Sequence, residues 1–265
     1  MKIKVLITLF ACFKVFSVFA QMDTLRVDEN NRPISKYNFY KKEKSPLYSG
    51  FRFSTDTLII EKLRYNYFFG KIESPKKEQI LKLFSKRHQI DTSKTLVIHY
   101  LDTLKSINDY PKRSRTIFYD SLGQEVKHSI KLTHMYSGLK VDASKSGEIA
   151  RHKHILNHKD FFLINKRCVK SYKRKKNVEV LHFFGVNMGH PEAYKKIKWY
   201  KDYGFVLGKI FADKTDNFKN IILRPNGEFY VSDYYMSVDE VSLRLKNWDK
   251  EKENFYQTIK SFSKI

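Results

Sequence analysis

The chain has 265 residues, with 51 basic and 28 acidic side chains and a formal net charge of +23. Aromatic residues make up 15% of it, which excludes a wholly disordered polymer, and the length suffices for a core that folds without disulfide support. The charge attracts anions over long range. Only 12 of the basic residues are arginine, the side chain suited to bidentate reading of phosphate and guanine, so genomic DNA is set aside as a partner.

The first 21 residues, MKIKVLITLFACFKVFSVFAQ, have the pattern of a secretory signal peptide. Lys2 and Lys4 give the positive start, residues 5–19 are almost wholly apolar, and Val18-Phe19-Ala20 suits a signal peptidase, with cleavage after Ala20. An alternative is a lipobox at Leu9-Phe10-Ala11-Cys12, which would leave a lipoprotein anchored through Cys12; Phe10 is bulky for that site, and the apolar run continues past the cysteine. A retained span is disfavoured, because Lys14 interrupts a run already short of the roughly 20 residues a membrane helix needs. Cleavage leaves 48 basic and 28 acidic side chains and a single cysteine, Cys168, so no intramolecular disulfide forms in the periplasm or outside the cell.

In chain order, residues 51–53, 57–60 and 65–72 are aromatic and β-branched runs that predict short strands. Ser74 and Pro75 open a predicted helix to about residue 88, with Ser74 as N-cap and Ile80, Leu81 and Phe84 on its buried face. Residues 95–100 form a nearly continuous apolar run, the mark of a strand covered on both faces. Residues 115–126 predict a hairpin whose tip is Asp120-Ser121-Leu122-Gly123, and 138–151 read as a loop rich in Ser, Gly and Lys.

Residues 151–176 hold ten basic side chains and one acid, Asp160. A helix over about 159–175 aligns Phe161, Ile164, Cys168 and Tyr172 on one face, which predicts a buried, unreactive Cys168. Lys166, Lys170, Lys173 and Arg174 share the opposite face as a candidate anion-binding patch, since like charges at these spacings repel unless an anion offsets them. His152, His154 and His158 form an H-x-H-x-x-x-H cluster, and histidines at i and i+4 of a helix can share an ion. Arg151, Lys153 and Lys159 oppose a dication there, no carboxylate or thiol ligand adjoins, and His182 and His190 stand apart. Neither a metal nor a cofactor is expected.

Residues 178–184 read as a strand, 191–203 as a helix, and 220–223 with 228–231 as a hairpin around Pro225-Asn226-Gly227. Ser237 and Glu240 make a capping box for a helix with Val238, Val241, Leu245 and Trp248 inward. This order, with the Ile222-Leu223-Arg224-Pro225-Asn226-Gly227-Glu228-Phe229 hairpin, resembles the later part of the thioredoxin-like group of exported bacterial proteins over residues 94–250. The resemblance implies a mixed central sheet with flanking helices, the 95–100 strand at its centre. Active members carry C-x-x-C after that strand and a cis-proline before the hairpin; here Leu101-Asp102-Thr103-Leu104-Lys105 and Phe218-Lys219-Asn220 stand in those places, so disulfide chemistry does not carry over.

The expected organisation is a signal peptide over 1–20, a strand-rich segment with one helix over 21–92, a thioredoxin-like domain over 93–250 with an insertion at 105–155, and a helical extension over 251–265. A different α+β domain is the alternative fold. The expected function is non-catalytic binding of an anionic envelope component or an acidic protein on a redox-inactive scaffold. The alternative is an exported enzyme with dispersed residues, a hydrolase or a single-cysteine redox protein using Cys168.

Overall fold

The computed structural model describes residues 23–55, 57–119, 125–126, 151–173, 175, 177–211 and 218–263. The signal peptide, Cys12, the 120–124 hairpin tip, the 138–150 loop and Arg174 lie outside the described residues. In chain order the elements are β1 Asp23–Val27, α1 Lys36–Glu43, β2 Tyr48–Ser54, β3 Leu58–Tyr65, β4 Tyr67–Lys71, α2 Ser74–His88, β5 Thr95–Leu104 and β6 Arg115–Tyr119. There follow β7 Glu125–Val126, β8 Arg151–Ile155, α3 His158–Tyr172, β9 Val178–Asn187, β10 Ala193–Tyr194 and β11 Ile197–Lys201. The last are α4 Val206–Phe211, β12 Asn220–Leu223, β13 Glu228–Ser232, α5 Val238–Lys246 and α6 Trp248–Phe262. The architecture is α+β, with mixed strand pairing and flanking helices. Among the described residues no helix is long and apolar enough to cross a membrane.

The chain divides into two units, residues 1–80 with 206–265, and residues 81–205. In the first, β3 pairs with β1 in parallel and with β2 in antiparallel, and β13 pairs antiparallel with both β12 and β4. Gly227 takes φ +86° in the β12–β13 turn, where a Cβ would press on Lys77 and the Ile72 carbonyl, so glycine is required there. Phe255 of α6 packs edge-on to Phe68 and lies against Phe69, and Trp248 is edge-on to Phe69. The Ser237–Glu240 capping box forms. Trp248 is buried as expected but opens α6, because the chain leaves helical geometry at Asn247.

The second unit holds β5, β9 and β11 as parallel neighbours in the order β11-β9-β5, with β10 antiparallel on β11. The connection from β5 to β9 contains the antiparallel β7-β6-β8 sheet and then α3. Residues 96–100 are all buried, as the continuous apolar run requires. On one face of this sheet Phe183 packs on Phe84 of α2 and stacks with Tyr200; α3 contributes to the other.

Several expectations change. Residues 191–203 form the β10–β11 hairpin rather than a helix: Ile197 and Trp199 are buried while Lys198 is exposed, a period of two that no helix satisfies. Residues 151–155 are strand β8, and a helix begins only at His158, so the histidine cluster never lies on one helix. Ser74 is itself helical, with the Lys77 N–H bonded to the Glu73 carbonyl. Helices α1 and α4 were not expected, although Ser35 caps α1 by accepting from the Asn38 N–H.

Candidate binding site on the second unit

The strand register sets the site. His99 of β5 lies opposite His182 of β9, and His182 opposite Trp199 of β11, so the three rings form a row across neighbouring strands. Ring centres are 5.2 Å apart for His99 and His182, and 5.0 Å for His182 and Trp199, the latter edge-to-face. Cys168 of α3 brings its Sγ to 3.1 Å from His99 Nε2, and Phe161, two turns earlier on the helix, stacks on Trp199 at 5.8 Å. Cys168 is 5% exposed, as the apolar stripe predicted, and His182 only 2%. Burial, reinforced by neighbouring His99, pushes the His182 pKa well below the usual histidine value, so its imidazole is neutral.

Trp199 links this buried row to a surface recess lined by His158, Phe161, Phe162, His190, Tyr194 and Trp199. Two local structures place its histidines. Asn157 caps α3, its side chain accepting from the Asp160 N–H at 2.8 Å, and the Ser114 hydroxyl both accepts from the Asn157 N–H and donates to the Asp160 carboxylate. His158 is therefore fixed as the first helical residue. The Asn187 side-chain oxygen, Oδ1, accepts from the N–H groups of Gly189 and His190 at 3.0 and 2.8 Å, and its side-chain Nδ2 donates to the His190 backbone carbonyl at 2.7 Å. Gly189, at φ +99°, allows that turn.

The result is a histidine pair, His158 Nε2 and His190 Nε2, 3.4 Å apart. His190 Nδ1 lies 2.8 Å from the Pro191 carbonyl oxygen. A carbonyl only accepts, so Nδ1 carries the proton and Nε2 presents its lone pair to His158. Burial, then His190 and Lys195, lower the His158 pKa, which favours its neutral imidazole.

Two basic side chains, Lys166 and Lys195, reach the edge of this recess. Lys166 and Lys170 on α3 and Lys173 at its C-cap are exposed, while Lys195 comes from the tip of the β10–β11 hairpin. Lys166 Nζ lies 5.6 Å and Lys195 Nζ 5.5 Å from the centre of the same Phe162 ring, and Lys195 is also 5.3 Å from Tyr194. Lys195 was not among the expected patch residues, because the hairpin that delivers it was read as a helix. Of the sequence cluster, His154 Nδ1 meets the Thr116 hydroxyl at 2.8 Å, and His158 turns instead to His190, 32 residues away. Their proximity had no local sequence signal.

Compared with protein-family models, with curated proteins and with solved structures, the chain finds no match.

Proposed function

We propose that the protein is exported and non-catalytic, and that the basic, aromatic-walled face of its second unit binds an anionic component of the cell envelope. The observation that carries this reading is the convergence of Lys166 and Lys195, from two different elements, on the Phe162 ring at the edge of the recess. Cations rimming an apolar floor suit an amphiphile whose phosphate or carboxylate meets the ammonium groups while its apolar part covers the aromatic rings. A redox-inactive thioredoxin-like scaffold is consistent with the parallel β5–β9 pair that has α3 in its crossover, followed by the β12–β13 hairpin and α5. Fold likeness supplies no function by itself.

The test is binding to phosphatidylglycerol vesicles and, separately, to an acidic polypeptide. One variant replaces Lys166, Lys170, Lys173 and Lys195 with Gln; a second replaces exposed Lys36, Lys246, Lys250 and Lys260, so that net charge is equal. At about 1 kcal/mol per lysine near an anionic surface, the first variant loses vesicle binding at least about tenfold and the second much less. Equal losses would reduce the patch to bulk charge. Binding to the polypeptide alone would move the partner to an acidic protein.

One observation favours a second reading, a thiol-dependent enzyme: the 3.1 Å approach of His99 Nε2 to Cys168 Sγ is the arrangement that draws a proton from a thiol. Burial of both groups opposes it. Under the binding reading a small thiol reagent labels the folded protein slowly; labelling as fast as that of a free thiol would favour the enzyme.

A further inference from the structure

We propose that His158 and His190 form a surface site for a transition-metal dication of the zinc or copper(II) type. The argument begins with the spacing. Two imidazole nitrogens bound at about 2.0–2.1 Å to a tetrahedral ion stand about 3.3–3.4 Å apart, and His158 Nε2 and His190 Nε2 are 3.4 Å apart. Ligand spacing is therefore already present in the folded chain.

The orientation agrees with the spacing. A metal-binding histidine usually donates its other ring N–H to a carbonyl or carboxylate, which fixes the tautomer and aims the lone pair. His190 does this through the Pro191 carbonyl at 2.8 Å, and the Asn187 turn holds its backbone on both sides. Without an ion, the His158 Nε2–H donates to His190 Nε2; an ion takes the place of that proton, which moves to His158 Nδ1.

The surroundings set the ion's remaining ligands. Among the described residues no three His, Cys, Asp or Glu side chains are arranged to hold a metal ion together. The Tyr110 ring packs edge-on to that of His158, 5.2 Å between centres. Imidazole donors select zinc, copper or nickel over magnesium or calcium. Lys195 opposes a dication by charge, through an interaction that solvent screens. Anion binding by the lysines does not require the ion, so either site can fail alone.

The test uses untagged full-length protein with Zn2+ as probe, at neutral pH and physiological salt. Calorimetry is expected to give one saturable zinc site. His158→Gln weakens it at least about tenfold in protein that remains folded, and Lys195→Gln tightens it. His154→Gln and His88→Gln leave the affinity unchanged. Because His190 is buried, its replacement perturbs folding, so half-exposed His158 decides the outcome. Copper(II) electron paramagnetic resonance adds a second measurement, with nitrogen splitting from two imidazoles. Absence of saturable zinc and copper binding, unchanged affinity in His158→Gln, or splitting from a single nitrogen would overturn the site.

Discussion

His182 is buried on the sheet face between His99 and Trp199, and its Nε2 meets no hydrogen-bond partner among the described residues. Such a nitrogen costs about 1–3 kcal/mol, whereas an apolar side chain of similar volume loses no hydrogen bond there. His182→Leu is therefore expected to stabilise the fold by about 1 kcal/mol, measured by urea unfolding at pH 7. The pH dependence has a definite sign. The pKa of folded His182 lies below its ordinary 6.5, so the unfolded chain binds the proton more readily, and stability present above pH 6.5 is lost as the pH falls below it. The wild type should weaken between pH 7 and 5, and His182→Leu should flatten that slope. A destabilised variant with an unchanged slope would show that the ring is neither unpartnered nor titrating as described.

At the scale of elements, the β10–β11 hairpin holds two adjacent strained residues. Its two turn residues, Lys195 and Lys196, take φ 45° and 74°, the left-handed region that a two-residue turn requires and that Asn-Gly fills best. Each non-glycine residue there costs about 1 kcal/mol or more. Lys195→Asn with Lys196→Gly is expected to raise stability by about 1 kcal/mol after the added freedom of the unfolded glycine, a shift of about 2–4 °C in Tm for a chain of this size. The same substitution removes Lys195 from Phe162, so vesicle binding should fall as Tm rises. That split separates the turn's binding role from its structural one.

The turn also explains what the sequence could show. Strand β5, the Pro225-Asn226-Gly227 hairpin and the Ser237–Glu240 box were legible because each carries its own local chemistry: an unbroken apolar run, a glycine that must adopt positive φ, and a reciprocal side-chain cap. Lys195-Lys196 offers no such signal, so the alternation of Ile197, Lys198, Trp199 and Tyr200 was outweighed by a helical reading. Site residues followed the same division. Cys168 was placed in the interior by helical spacing alone, but the His158–His190 contact depends on the Asn187 turn and the register of distant strands, which no spacing in the sequence encodes.

For the whole molecule, the 51 basic and 28 acidic side chains act in two ways that differ in range. Steering of an anionic surface depends on total charge and is screened over about 8–10 Å at physiological salt, whereas retention depends on which lysines touch the ligand. The two equal-charge lysine variants separate these effects kinetically. At low ionic strength both should associate with anionic vesicles more slowly than the wild type and by similar factors, because both remove four charges from the same field. Near physiological salt the association rates should converge, and only the variant lacking Lys166, Lys170, Lys173 and Lys195 should dissociate faster, since only it removes contacts at the recess. Stopped-flow association and dilution-driven dissociation, measured across a salt series, read the two rates independently. If the dissociation rates of the two variants instead coincide at every salt concentration, the lysines beside Phe162 hold nothing that the rest of the basic surface does not, and the binding face must lie elsewhere.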